Sequence, residues 1–218
     1  ILCRTLDQKK LKVGHAGTLD PLATGVMVLC TGKSTKRIEE LQYGVKEYIA
    51  TLQLGATTPS FDLEHPIDRT YPTEHITRER IDQTIKRFVG EIWQVPPAYS
   101  AVKIDGKRAF DYARKGQEVE IKPKLLVIDD IEVLNFNEEN MQLTIRVVCS
   151  KGTYIRALAR DIGEALLSGA HLTALQRTQV GDIRLEDCME VEDFIKCIES
   201  GIIKHEPQEE KRNIFLNH

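Results

Sequence analysis

Short apolar or alternating runs rich in Val, Ile and Tyr recur at residues 26–30, 47–54, 92–95, 98–104, 125–134, 141–149 and 173–180. Alternation with a period of two sends successive side chains to opposite faces, so each run predicts a strand with one buried face. Helical spacing is confined to residues 35–42, 78–89, 107–115, 154–167 and 191–199, with Gly44, Gly90, Gly116 and Gly169 placed as stops. The polar stretch 135–140 joins two consecutive strand candidates, which predicts an antiparallel hairpin rather than a strand–helix–strand series. The expected class is therefore α+β.

Composition narrows this picture only a little. A chain of 218 residues with 41% hydrophobic and 29% charged content suits one generous domain, or one domain with a small appendage, and excludes disordered and fibrous classes. No run approaches the roughly 18 uninterrupted apolar residues of a membrane helix, and the start Ile1–Leu2–Cys3–Arg4 is neither a signal peptide nor a Met start. A cytoplasmic protein with a truncated N-terminus is expected. Five cysteines (Cys3, Cys30, Cys149, Cys188, Cys197) are an odd number without CxxC or HExxH spacing, which predicts reduced thiols and no metal site.

Charge is more informative where it is uneven. The net charge is −3, yet residues 185–218 hold nine acidic and four basic residues, leaving the first 184 slightly basic. Basic groups gather at Lys9–Lys10–Lys12, Lys33–Lys36–Arg37 and Lys103–Lys107–Arg108. Such patches permit phosphate contacts, and they equally describe solvated faces. The polar end 205–212 has the composition of a frayed tail.

Candidate chemistry concentrates in Gly14-His-Ala-Gly-Thr-Leu-Asp-Pro-Leu-Ala-Thr-Gly25, where three glycines, a His, an Asp and a Pro lie between a charged stretch and an apolar run. Glycines let backbone approach a partner closely, and Pro21 keeps Asp20 out of helical geometry, so the carboxylate is either presented to a partner or caps a turn. Thr31-Gly-Lys-Ser34 is not a phosphate loop, because Met27 stands where the first glycine is required. Residues 149–163, Cys-Ser-Lys-Gly-Thr-Tyr-Ile-Arg-Ala-Leu-Ala-Arg-Asp-Ile-Gly, place a strand end, a Gly turn and a helix start in succession. Tyr154 and Arg156 then face a cleft at the sheet edge, or simply begin an amphipathic helix.

Five ordered blocks carry a resemblance: GHAGTLDPLATG at 14–25, KEYIATLQLGATTPSFD at 46–62, PPAYSAVKIDGKRAFDYARKG at 96–116, CSKGTYIRALARDIG at 149–163 and GAHLTALQR at 169–177. Together they resemble the bacterial tRNA pseudouridine-55 synthase family, commonly called TruB. The resemblance implies a pseudouridine synthase-like fold, with a mixed, mainly antiparallel central sheet flanked by helices. It implies a catalytic domain over residues 1–184 and a short acidic extension over 185–218, without the full PUA-type RNA-binding module and without the Lys-Pro-bearing segment that begins many relatives. Asp20 would be the catalytic carboxylate, Tyr48 the aromatic ring stacked on the target base and Arg156 the basic partner of Asp20, with His15, Tyr48, Tyr154 and Leu175 touching substrate. The expected substrate is the T stem-loop of tRNA, handled by a monomer without a cofactor or an obligatory protein partner. Two other functions share these features: a guide-RNA-dependent pseudouridine synthase, and a tRNA-binding folding helper without essential chemistry.

Overall fold

The structure is a computed structural model that describes residues 11–117 and 119–200. Cys3, Lys9, Lys10 and the polar segment 205–212 lie outside the described residues. In chain order the strands are β1 (Val13–His15), β2 (Ala23–Gly25), β3 (Leu29–Thr31), β4 (Lys46–Leu54), β5 (Ala56–Thr57), β6 (Arg69–Thr70), β7 (Gly90–Gln94), β8 (Lys103–Ile104), β9 (Lys107–Arg108), β10 (Lys124–Asn137), β11 (Gln142–Cys149), β12 (Ala170–Val180) and β13 (Ile183–Arg184). The α-helices are α1 (Ile38–Tyr43), α2 (Arg78–Ile85), α3 (Ala109–Ala113), α4 (Ile155–Ala165) and α5 (Val191–Glu199).

The central sheet runs β13-β12-β4-β11-β10-β7, and β2 joins the free edge of β12. Every pairing in it is antiparallel except β2 with β12, which is parallel. The sheet is thus mixed and mainly antiparallel, as the resemblance implied. Its inner face follows from alternation: Ala50, Leu52 and Leu54 of β4 and Leu143, Ile145, Val147 and Cys149 of β11 are all buried. Against this face lies α4, whose Ile155, Leu158, Ala159 and Ile162 recur at helical spacing and share one core with the strands. Gly163 permits the close approach of that helix to β12, because a Cβ there would stand 2.3 Å from the backbone nitrogen of Ala170.

Several expected boundaries shift for local reasons. The strand expected at 98–104 shrinks to β8, which forms a hairpin with β9 across Asp105 (φ 48°) and Gly106 (φ 81°). Both turn residues are left-handed, as a tight two-residue hairpin requires, and the helix expected at 107–115 therefore starts only at Ala109. The helix expected at 35–42 begins as a 3-10 turn over Gly32–Arg37 before α1. The strand expected at 26–30 lies instead at Leu29–Thr31, paired to β1, because Val26 donates its N–H to the carbonyl of Arg177 (2.8 Å). By contrast α5 coincides with its expected range.

Candidate active site

Asp20 sits between β1 and β2, in a turn closed by the Ala23 N–H donating to the Asp20 carbonyl at 2.9 Å. The strand β2 that follows is clamped on β12, with Gly25 opposite Arg177. Gly25 has a φ of 100°, and a Cβ there would stand 2.2 Å from the Arg177 carbonyl oxygen, so glycine is a steric requirement. The far end of the Asp20 loop is thereby fixed to the sheet.

Arg156, in the first turn of α4, reaches back to that loop. Its Nε donates to Asp20 Oδ2 and its Nη2 to Asp20 Oδ1, both at 2.8 Å, a two-pronged pair that sets the plane of the carboxylate. The remaining guanidinium donors go to the carbonyls of Tyr99 (3.1 Å) and Ser60 (3.3 Å), and Asp62 Oδ2 stands 3.6 Å from Nε. The Arg156 side chain is 6% exposed and that of Asp62 2%, whereas that of Asp20 keeps 29%. A fixed carboxylate with one open face is thus backed by a buried cation. The helix start that carries Arg156 is held by Gln94, whose side chain accepts from the Tyr154 N–H (2.9 Å) and donates to the Tyr154 carbonyl (3.3 Å).

Tyr48 lies on the inner face of β4, opposite Val147 on one side and Arg177 on the other. Burial pushes its phenol up, and the Arg177 guanidinium nearby opposes that push, while Asp20 is close enough to add to it. The Tyr154 phenol is likewise pushed up by burial, beside Ser100, Arg156 and Asp20. Asp20, Arg156, Tyr48 and Tyr154 therefore form one cluster. Leu175 is 6% exposed and belongs to the apolar core beneath it, between Ala50 and Ala23 in register. His15 is exposed on β1, which pairs with β3 rather than with the large sheet.

Residues without an expected role complete the arrangement. Asp62, Gln94 and Arg177 are each buried polar groups tied to the cluster, drawn to it from three different strands or loops. Asp62 ends the second ordered block and Arg177 ends the fifth, and those positions were the only sequence signal for them. Among the described residues no group of three or more His, Cys, Asp or Glu could hold a metal ion, and no helix is long and apolar enough to cross a membrane.

Comparison with known proteins agrees with this geometry. Residues 4–155 match the family model of the TruB family pseudouridylate synthase N-terminal domain, and residues 156–211 that of the tRNA pseudouridylate synthase B C-terminal domain. A tRNA pseudouridine synthase B of Bacteroides fragilis is 71% identical over 198 residues, covering 91% of this chain and 84% of that protein. Its counterpart in Bacteroides thetaiotaomicron is 67% identical over 207 residues, covering 94% and 86%. Among solved structures, a chain of a Cbf5–Nop10–Gar1 complex superposes with a TM-score of 0.67 at 28% identity, covering 93% of this chain and 51% of that one, so this chain spans about half its length. By family models that together span most of its length and by relatives above two-thirds identity, the chain belongs to the TruB family of pseudouridylate synthases.

Proposed function

We propose that this protein is a stand-alone tRNA pseudouridine synthase that isomerises the uridine at position 55 of the T loop, with Asp20 as its catalytic carboxylate. The observation that carries the reading is the two-pronged Arg156–Asp20 pair with one carboxylate face open, in a chain 71% identical to a tRNA pseudouridine synthase B. The likeness to the Cbf5 chain is much weaker, at 28%, which favours the stand-alone branch over a guided one.

The reaction breaks the bond from uracil N1 to ribose C1', turns the base and joins C5 to C1'. The hydrogen on C5 is lost and N1 gains one, so atoms and electrons balance without a redox partner. Asp20 can enter by attack on C1', by addition to uracil C6 or by removal of a ribose proton to give a glycal, and each route requires it ionised and aimed. Arg156 serves the aim, because its guanidinium fork grips both carboxylate oxygens and fixes their plane. Extruding the target base costs a few kcal/mol. Stacking on Tyr48 returns about 1–3 kcal/mol and gives the detached uracil a surface on which to turn. Tyr154, Leu175 and His15 are the further substrate contacts in this reading.

The working unit is residues 1–184, with 185–218 as an acidic extension, acting as a monomer in the cytoplasm without cofactor, guide RNA or protein partner. The test is an unmodified tRNA transcript incubated with the purified chain alone, followed by carbodiimide treatment and reverse transcription. A stop at the T-loop uridine and at no other position is expected. A stop elsewhere, or one that appears only when a guide RNA is added, contradicts the reading.

A further inference from the structure

Arg177 is the largest of the fully buried side chains, at 1% exposure, and its charge meets no carboxylate in any ion pair among the described residues. Its donors go to neutral acceptors on the Asp20 loop: Nε to the Val26 carbonyl at 2.8 Å, and Nη2 to the Gly17 carbonyl at 3.2 Å, with Met27 Sδ at 3.9 Å. Its own carbonyl accepts the Val26 N–H at 2.8 Å. Gly17 has a φ of 101°, and a Cβ there would stand 3.3 Å from Arg177 Nη1, so the loop is shaped to let the guanidinium pass. In register, Arg177 stands opposite Gly25 on one flank and Tyr48 on the other.

A buried charge is costly unless its hydrogen bonds are met, and a pair of loop carbonyls could be met by a neutral donor at lower cost. The full guanidinium makes sense where its rigid fork must span several fixed points at once. Those points are the Val26 and Gly17 carbonyls on the two sides of the loop that carries Asp20, while the Arg177 backbone stands opposite Tyr48 in the sheet.

We propose that Arg177 is a positioning residue for the reaction: it holds the Gly17 and Val26 flanks of the Asp20 loop in one frame with Tyr48, so that carboxylate and base platform keep a fixed separation. This rests on the synthase activity proposed above. Arg177 touches no reacting atom. It acts through the loop on one side and the Tyr48 ring on the other, so its loss lowers the rate of the chemical step more than the affinity for RNA.

The experiment is single-turnover tritium release from a T stem-loop labelled at uridine C5, with Kd measured in parallel, on wild type, Arg177→Lys, Arg177→Met, Tyr48→Phe and Arg177→Met/Tyr48→Phe. The rate of Arg177→Met should fall on the order of a hundredfold, the scale at which a small misplacement acts, with Kd within about threefold and the folded fraction unchanged. Arg177→Lys keeps the charge without the fork and should recover only part of the rate. Losses from Arg177→Met and Tyr48→Phe should be less than additive, since both break one arrangement. A rate per folded molecule equal to wild type in both Arg177 variants overturns the proposal, as do additive losses. Should Arg177→Met not fold, Arg177→Lys decides alone, and its failure to fold would assign Arg177 to folding and overturn the positioning role. Silence from wild type would strike the synthase reading instead.

Discussion

At the scale of single residues, the candidate site turns on one buried guanidinium between two carboxylates of unequal exposure. Asp62 is sealed, with one oxygen accepting the Glu64 N–H at 2.9 Å, while Asp20 keeps an open face. Replacing Arg156 by Met would leave Asp62 buried without its cation, and such a loss costs about 3–5 kcal/mol. Urea unfolding should show that drop, and Asp62→Asn/Arg156→Met together should recover part of it. Arg156→Lys keeps the charge and loses the fork, so the folded protein should turn over on the order of a hundredfold more slowly, measured under single-turnover conditions. Tyr48→Ala should reduce that rate more than it reduces RNA affinity, because phosphate and loop-shape contacts elsewhere dominate binding. Asp20 and Arg156 were legible only as members of ordered blocks, since an Asp–Pro in a Gly-rich loop is more often a turn. Asp62, Gln94 and Arg177 were not legible, because their roles come from partners roughly 60 to 160 residues away in the chain.

At the scale of elements, the frame depends on strands that approach closely. Gly25→Ala would place a Cβ against the Arg177 carbonyl and should separate β2 from β12, lowering both thermal stability and turnover. Cys149, at the end of β11, is fully buried, and burial pushes its thiol up to about 11. The unfolded chain then releases this proton first, so stability is lost as pH rises from the ordinary thiol range near 9 through 11, by about 2–3 kcal/mol at most. Urea midpoints at pH 8.5 and 10.5 should therefore fall further for wild type than for Cys149→Ala. The alternating strands at 47–54 and 141–149 were legible because each has one sealed and one half-buried face. The run at 98–104 misled because it follows Pro96 and Pro97 and ends at Asp105–Gly106, a pair that itself signals a two-residue hairpin. The short strands β1 and β2 escaped notice because their glycines disguise them as loop.

At the scale of the whole molecule, the sheet order could not be read from pattern alone. The central neighbours β4, β11 and β12 come from distant parts of the chain, and only the resemblance pointed to a mixed sheet. Charge distribution was legible and is realised at the surface: Lys33, Lys36 and Arg37 are exposed, as are Lys103, Lys107 and Arg108 on and around the β8–β9 hairpin. If these groups hold the RNA backbone, Lys103→Glu/Lys107→Glu should raise Kd and flatten its salt dependence while leaving the single-turnover rate at saturation unchanged. A fall in rate at saturation would instead place the hairpin in the chemistry. The central claim, that Asp20 performs the isomerisation and the fold aims it, is tested most directly by tritium release from a uridine-labelled T stem-loop with wild type and Asp20→Asn. Release by wild type, with none by a variant that still folds and binds the same RNA, is the predicted result. Release by Asp20→Asn at a rate near wild type would contradict it.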